Sequence, residues 1–247
     1  MAGDPYLETT ERVLDALATA GADIIELGVP YGDPLADGPT IAAAAHRALT
    51  AGMTLTSTFA LVERARKRGA PPIILFTYAN PVDRFGVVRF AEAAGRWGAA
   101  GAIVPDVPLE ESGELRESLL ERGLVLPLLV APTTPAERAR RIAAASSGFV
   151  YVVSRLGVTG ARRAPDFAAT AERVAELRPQ TNLPICVGFG IHSAQDVRSV
   201  ARFAEGAIIG SGLIDAYAGK RGPAAANAVG DYVTALVEAT RSVAPPA

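Results

Sequence analysis

The stretch Glu26-Leu27-Gly28-Val29-Pro30-Tyr31-Gly32-Asp33-Pro34-Leu35-Ala36-Asp37-Gly38-Pro39-Thr40 decides how this chain is read. A β-rich run, Ala22-Asp23-Ile24-Ile25, leads into a carboxylate, Glu26. A loop with three prolines, three glycines and two aspartates follows, and a helix begins at Thr40. A carboxylate at the end of a buried strand is costly without a partner, so Glu26 is a candidate for chemistry. Asp37, eleven positions on, is a second candidate. Proline fixes φ and lowers the entropy lost on ordering, so the loop is built to hold one shape. From spacing alone both carboxylates keep a plain alternative. Glu26 could be a strand-end ion-pair residue, and Asp37 a turn residue before Gly38-Pro39.

Outward from this stretch, short apolar runs alternate with helical ones. The expected strands are 22–28, 72–78, 101–106, 125–131, 149–154, 184–188 and 206–210. Each is apolar nearly throughout, as parallel strands covered on both faces should be. Helices are expected at 7–20, 56–69, 84–97, 110–122, 135–146, 166–178, 193–203 and 223–241, with two short extra ones at 40–50 and 212–219. Thr9, Ser57, Thr134 and Ser193 stand near helix starts as candidate caps. Gly21, Gly69, Gly98, Gly123 and Gly148 follow helix ends, where a left-handed cap is expected. Strict βα alternation without a linker predicts one domain, 1–247, with a parallel sheet.

The length of 247 residues suits a single (β/α)₈ barrel of ~250 residues. The count is uneven, however: seven strands against eight main helices. A closed barrel needs one more strand before Ala2. The expectation is therefore a barrel lacking its first strand and N-terminal helix, from a natural chain that starts further upstream.

Composition narrows the function. Hydrophobic residues make up 49% and charged residues 20%, which supports a large core. A net charge of −2 gives no footprint for nucleic acid or an anionic membrane. The single cysteine, Cys186, rules out an internal disulfide and a multi-cysteine metal site, and is read as core packing. The two histidines, His46 and His192, are far apart in sequence, so no metal site is expected. No apolar run reaches the ~18 residues of a membrane span. The opening residues lack signal-peptide character, so the cytoplasm is the expected location. Trp97, at a helix end, is read as packing.

In a (β/α)₈ barrel the site lies at the C-terminal ends of the strands. Glu26, Tyr78, Asp106, Ser154 and Phe189 fall at or just past such ends. Gly188-Phe189-Gly190 and Gly210-Ser211-Gly212 follow the last two strands, where barrels commonly bind phosphate through backbone N–H groups. A third glycine-bearing loop, Ser154 to Arg163, is long enough to act as a lid.

The motif Glu26 to Pro39 closely resembles the α subunit family of tryptophan synthase. The resemblance continues in order through Thr77-Tyr78-Ala79-Asn80-Pro81, Pro105-Asp106-Val107-Pro108, Gly148-Phe149-Val150-Tyr151, Gly157-Val158-Thr159-Gly160-Ala161, Val187-Gly188-Phe189-Gly190 and Gly210-Ser211. It implies a carbon–carbon lyase of tryptophan biosynthesis. The reaction would be retro-aldol cleavage of indole-3-glycerol phosphate to indole and glyceraldehyde 3-phosphate, with no metal and no cofactor. By the same resemblance Glu26 is the acid/base and Asp37 the carboxylate that holds the indole N–H, with Tyr151 beside Glu26. Thr159 is the lid residue closing onto Asp37. Gly160, Gly188, Gly190, Gly210 and Ser211 are phosphate-binding, while Phe76, Ile103 and Phe189 line the indole pocket. The implied partner is a pyridoxal-phosphate-dependent β subunit in an α₂β₂ assembly, contacted through Pro30–Pro39 and Asp106–Pro108, with Asp33 structural or at a subunit contact. Gly32 departs from the serine many relatives carry. Two other readings stand beside this one: a stand-alone lyase that releases free indole, and a truncated, non-catalytic barrel that only binds the partner.

Overall fold

The computed structural model describes residues 1–154 and 167–243. The helices and strands alternate as α1 (Leu7–Ala20), β1 (Ile25–Gly28), α2 (Pro39–Thr50), α3 (Leu55–Lys67), β2 (Ile73–Phe76), α4 (Ala79–Phe85), α5 (Val87–Arg96) and β3 (Gly101–Ile103). There follow α6 (Gly113–Leu120), β4 (Leu129–Val130), α7 (Ala136–Ala145), β5 (Val150–Val153), α8 (Phe167–Leu177), β6 (Ile185–Gly188), α9 (Ala194–Val200), β7 (Gly206–Ala207), α10 (Ser211–Ala216) and α11 (Gly222–Arg241). All strand pairs are parallel, in the orders β1-β2-β3 and β4-β5-β6-β7. Val125 joins the two groups: its N–H donates to Ala100 O and its carbonyl accepts from Ala102, both at 3.0 Å.

Successive strand side chains point to opposite faces, and this period divides the interior in two. Ile25, Leu27, Ile73, Leu75, Val150, Val152, Ile185 and Val187 face the helices in one large cluster. Ile74, Ile103, Phe149, Tyr151 and Phe189 fill a second, inside the strands. The strand registers set Glu26 opposite Ile74 and Tyr151 opposite Cys186, which puts Glu26 on the inner face.

The expected alternation is present, with shorter strands. The 125–131 strand shrinks to a bridge at Val125 and the pair Leu129–Val130. Pro127 has no N–H to give to a ladder, and the neighbouring amides of Leu126 and Leu128 donate to the hydroxyls of Ser147 (2.8 Å) and Ser146 (3.1 Å). The expected helix 84–97 is two helices, α4 and α5, because Gly86 takes φ +92° between them. With α4, and the two short helices anticipated at 40–50 and 212–219, the described residues hold eleven α-helices rather than eight main ones. All five expected glycine caps have positive φ. Ser193 caps α9 by accepting the Asp196 N–H. Ser57 does not cap; Thr54 does, and Ser57 returns the bond. Thr9 lies inside α1 and accepts the Gly222 N–H, while Thr134 accepts the Ala131 N–H. Trp97 sits half-buried against the large core at the end of α5.

Among the described residues no ladder joins β7 to β1. The Ala2 N–H donates to Gly28 O at 2.9 Å, beside the C-terminal end of β1.

Candidate active site

A cleft of about 850 Å³, counting its open mouth, lies at the C-terminal ends of the strands. Glu26 and Asp37 stand on its wall with the rings of Phe76, Tyr78, Tyr151 and Phe189. Gly190, Gly210 and Ser211 line another part of the same wall.

Glu26 is the second residue of β1, not its end. The residue is half-buried, with its open side on the cleft, but Oε1 is enclosed and has no hydrogen-bond partner. Burial disfavours the charged form and pushes the carboxyl up to about 8. Near neutrality it therefore holds its proton yet can release it. The neighbouring Tyr151 hydroxyl is raised well above its ordinary value, first by burial and then by Glu26, so it stays protonated. The Tyr151 ring meets Phe189 edge-on, with centroids 6.0 Å apart.

Asp37 ends the rigid loop, one residue before the cap of α2. Burial raises its carboxyl too, but a hydrogen bond from Tyr78 opposes that shift. The Tyr78 hydroxyl also accepts the Ala36 N–H at 3.3 Å. The Tyr78 ring is buried, edge-on to Phe76 and 5.5 Å from Tyr31. One carboxyl without a donor and one with a donor have their proton affinities pushed apart, the arrangement that separates acid from anion.

At the glycine-lined wall, Phe189 adopts φ +73°, a left-handed conformation uncommon for a residue with a side chain. Ser154 holds it: its hydroxyl donates to the Phe189 carbonyl, and its N–H donates to Gly188 O at 2.9 Å. Ser211 opens α10, whose first amides have no side-chain cap. Backbone amides beside glycines can approach an anion closely.

Two expected site residues stand elsewhere. Gly188 is not on the cleft wall; a Cβ there would collide with the Tyr151 ring, at 2.7 Å from Cζ and 2.8 Å from Cε1. The glycine makes room for the tyrosine. Ile103 is fully buried in the inner cluster, away from the cleft wall. Thr159 and Gly160 lie outside the described residues. Asp106 accepts the Ala79 N–H at 2.9 Å and so fixes the start of α4, while Asp33 is exposed. His46 is exposed on α2, and the His192 carbonyl accepts from the Tyr232 hydroxyl. Cys186 joins the inner cluster, where burial pushes its thiol up to about 12.

Two parts of the wall lie outside the sequence motifs' assigned roles: Tyr78, and the aliphatic side of Ile41, Leu213 and Ile214. Tyr78 had a signal in its strand-end position. The aliphatic residues had none, since apolar residues on short helices read as core.

The family profile described as tryptophan synthase alpha chain matches residues 1–240. A tryptophan synthase alpha chain of a Picosynechococcus species is 47% identical over 243 residues, 96% of this chain and 90% of that one. Another, from Prochlorococcus marinus, is 51% identical over 219 residues, covering 87% and 78%. A solved structure of Mycobacterium tuberculosis tryptophan synthase shares the fold with a TM-score of 0.88 at 36% identity, over 97% of this chain and 89% of that chain. The tryptophan synthase subunit alpha of Legionella pneumophila gives 0.86 at 33% identity, over 98% and 90%.

Proposed function

The chain belongs to the tryptophan synthase alpha chain family, lyases of tryptophan biosynthesis, and we propose on that premise that its cleft cleaves indole-3-glycerol phosphate by a cofactor-independent retro-aldol reaction. One observation carries the mechanism: Glu26 is an enclosed carboxyl without a hydrogen-bond partner at Oε1, raised to about 8, on the same cleft wall as Asp37.

Glu26 begins protonated and gives its proton to indole C3. The C2–C3 π electrons form the new C–H bond, which leaves positive charge toward the ring nitrogen. The Asp37 carboxylate accepts a hydrogen bond from that N–H and stabilises the cation. Glu26, now ionised, takes the proton of the C3′ hydroxyl. The O–H electrons make the aldehyde C=O, the C3–C3′ bond breaks, and its electron pair neutralises the ring. Indole and glyceraldehyde 3-phosphate leave, and Glu26 is protonated again. Phe76, Tyr151 and Phe189 surround the indole, with the phosphate held at Gly190, Gly210 and Ser211.

The reading also takes a tryptophan synthase β subunit as partner, receiving the indole in an α₂β₂ assembly. Neither a stand-alone lyase nor a non-catalytic barrel is favoured, and the presence of both carboxyls on one cleft argues against the latter. The reading locates the single 247-residue domain in the cytoplasm. Among the described residues no helix is long and apolar enough to cross a membrane.

The test is indole release from indole-3-glycerol phosphate by the full chain and by Glu26→Gln. The reading expects turnover in the first and a loss of about 10²–10⁴ in the second. Equal turnover in both removes it.

A further inference from the structure

Behind the cleft wall three segments meet on one carboxylate. The Asp4 side chain has no exposed surface. Arg47 Nε donates to its Oδ1 at 2.7 Å and Nη2 to its Oδ2 at 3.0 Å. The Tyr217 hydroxyl donates to the same Oδ2 at 2.8 Å. Burial and the Asp4 charge hold that phenol protonated, so its role is fixed as donor. Arg47 lies in the last turn of α2, and Tyr217 is the residue that ends α10.

Each of these segments also contributes to the cleft. Met1 precedes Asp4, Ile41 lies in the first turn of the helix that carries Arg47, and Ile214 lies one turn before Tyr217; all three line the cavity. The near end of α2 follows Asp37, and the near end of α10 is Ser211. α2 and α10 also touch directly. Asp4 thus clamps the far ends of two short helices whose near ends carry the two poles of the site. Asp4 is enclosed while the Arg47 side chain is nearly half exposed, so the pair adds little net stability, but its fork geometry fixes direction.

We infer that Asp4, Arg47 and Tyr217 form a positioning unit that sets the span between Asp37 and the Gly210–Ser211 loop, and so selects the length of the chain joining indole to phosphate. The inference rests on the proposed function, because the two poles take their meaning from it. A rigid span accepts a three-carbon link and rejects a longer one. A loosened span accepts both with lower affinity for the correct one.

Tyr217→Phe in the full chain is the test, with Arg47→Lys as a second variant that keeps the charge and loses the fork. The ligands are indole-3-propanol phosphate, indole-3-butanol phosphate and phosphate-free indole-3-propanol. Removing one hydrogen bond to a charged group should weaken the propanol phosphate about five- to tenfold. The butanol phosphate and the phosphate-free ligand should be unchanged within about twofold, so the preference for three carbons narrows. The KM for indole-3-glycerol phosphate should rise by the same factor as the propanol phosphate affinity falls, with kcat nearly constant. If all three ligands weaken equally, the unit is only structural and the inference fails. Unchanged affinities in both variants overturn it as well. A wild-type chain that binds no phosphorylated ligand removes the proposed function and this inference together, whereas wild-type binding with unaltered variants removes this inference alone.

Discussion

The Tyr78 hydroxyl accepts the N–H of Ala36 at 3.3 Å and lies beside the carboxylate of the next residue, Asp37. The tyrosine comes from just beyond β2 and the aspartate from the loop after β1, so one hydrogen bond pins that loop across the mouth of the cleft. The same hydroxyl also lowers the proton affinity that burial raises in Asp37.

Tyr78→Phe should therefore leave Asp37 more readily protonated. Cleavage of indole-3-glycerol phosphate should fall about tenfold at neutral pH, the worth of one charge-assisted bond. The deficit should deepen as pH is lowered, because the opposing hydrogen bond is gone. A pH profile of kcat/KM parallel to wild type would deny Tyr78 this role.

Glu26 links the chemistry to stability. Its carboxyl ionises at about 4.5 in an unfolded chain and at about 8 when folded. Between those values the native state holds a proton the unfolded state has released, so the contribution of this carboxyl to stability is full below 4.5 and is lost as pH rises toward 8. Denaturant titrations from pH 5 to 8 should show that decline, and Glu26→Gln should flatten it. The same proton predicts that kcat/KM of the wild type falls above about 8, since the first step needs the acid form.

Gly188→Ala places a methyl group against the Tyr151 ring. Overpacking of this kind costs about 1–3 kcal/mol, and the displaced ring borders Glu26. A lower melting temperature together with reduced kcat is expected. An active variant of wild-type stability would show that the tyrosine can move freely.

Ser154→Ala removes the hydroxyl that holds the Phe189 carbonyl. Phe189 sits at φ +73°, a conformation that costs about 1–3 kcal/mol unless its surroundings impose it. The loop after β6 should relax, raising KM for indole-3-glycerol phosphate severalfold with a smaller change in kcat. Steady-state kinetics over a range of substrate concentration separates the two.

Leu35, on the loop between β1 and α2, is 70% exposed. If the β subunit docks on this face, Leu35→Asp should weaken the α₂β₂ complex at least about tenfold, as loss of an apolar anchor does. The melting temperature of the isolated chain should not change. Gel filtration with the cognate β subunit reads the outcome.

Local sequence determined the alternation of strands and helices, because strands buried on both faces read as short apolar runs and helix ends carry glycine. Positive φ at Gly21, Gly69, Gly98, Gly123 and Gly148 follows from the same local chemistry. The motif around Glu26 and Asp37 marked both carboxyls as candidates, since a charged group in an apolar strand and a proline-braced aspartate are unusual within one strand and the loop after it. Only the tertiary structure decided how those carboxyls differ. Their proton affinities depend on burial and on Tyr78, which stands 41 residues beyond Asp37 in the chain. Gly188 and Gly190 look alike in sequence; the Tyr151 ring makes the first a packing glycine, while the second lines the cleft. The Asp4–Arg47–Tyr217 clamp joins residues up to 213 positions apart. No local period records such a contact, because it exists only once the fold has brought the chain's opening residues against α2 and α10.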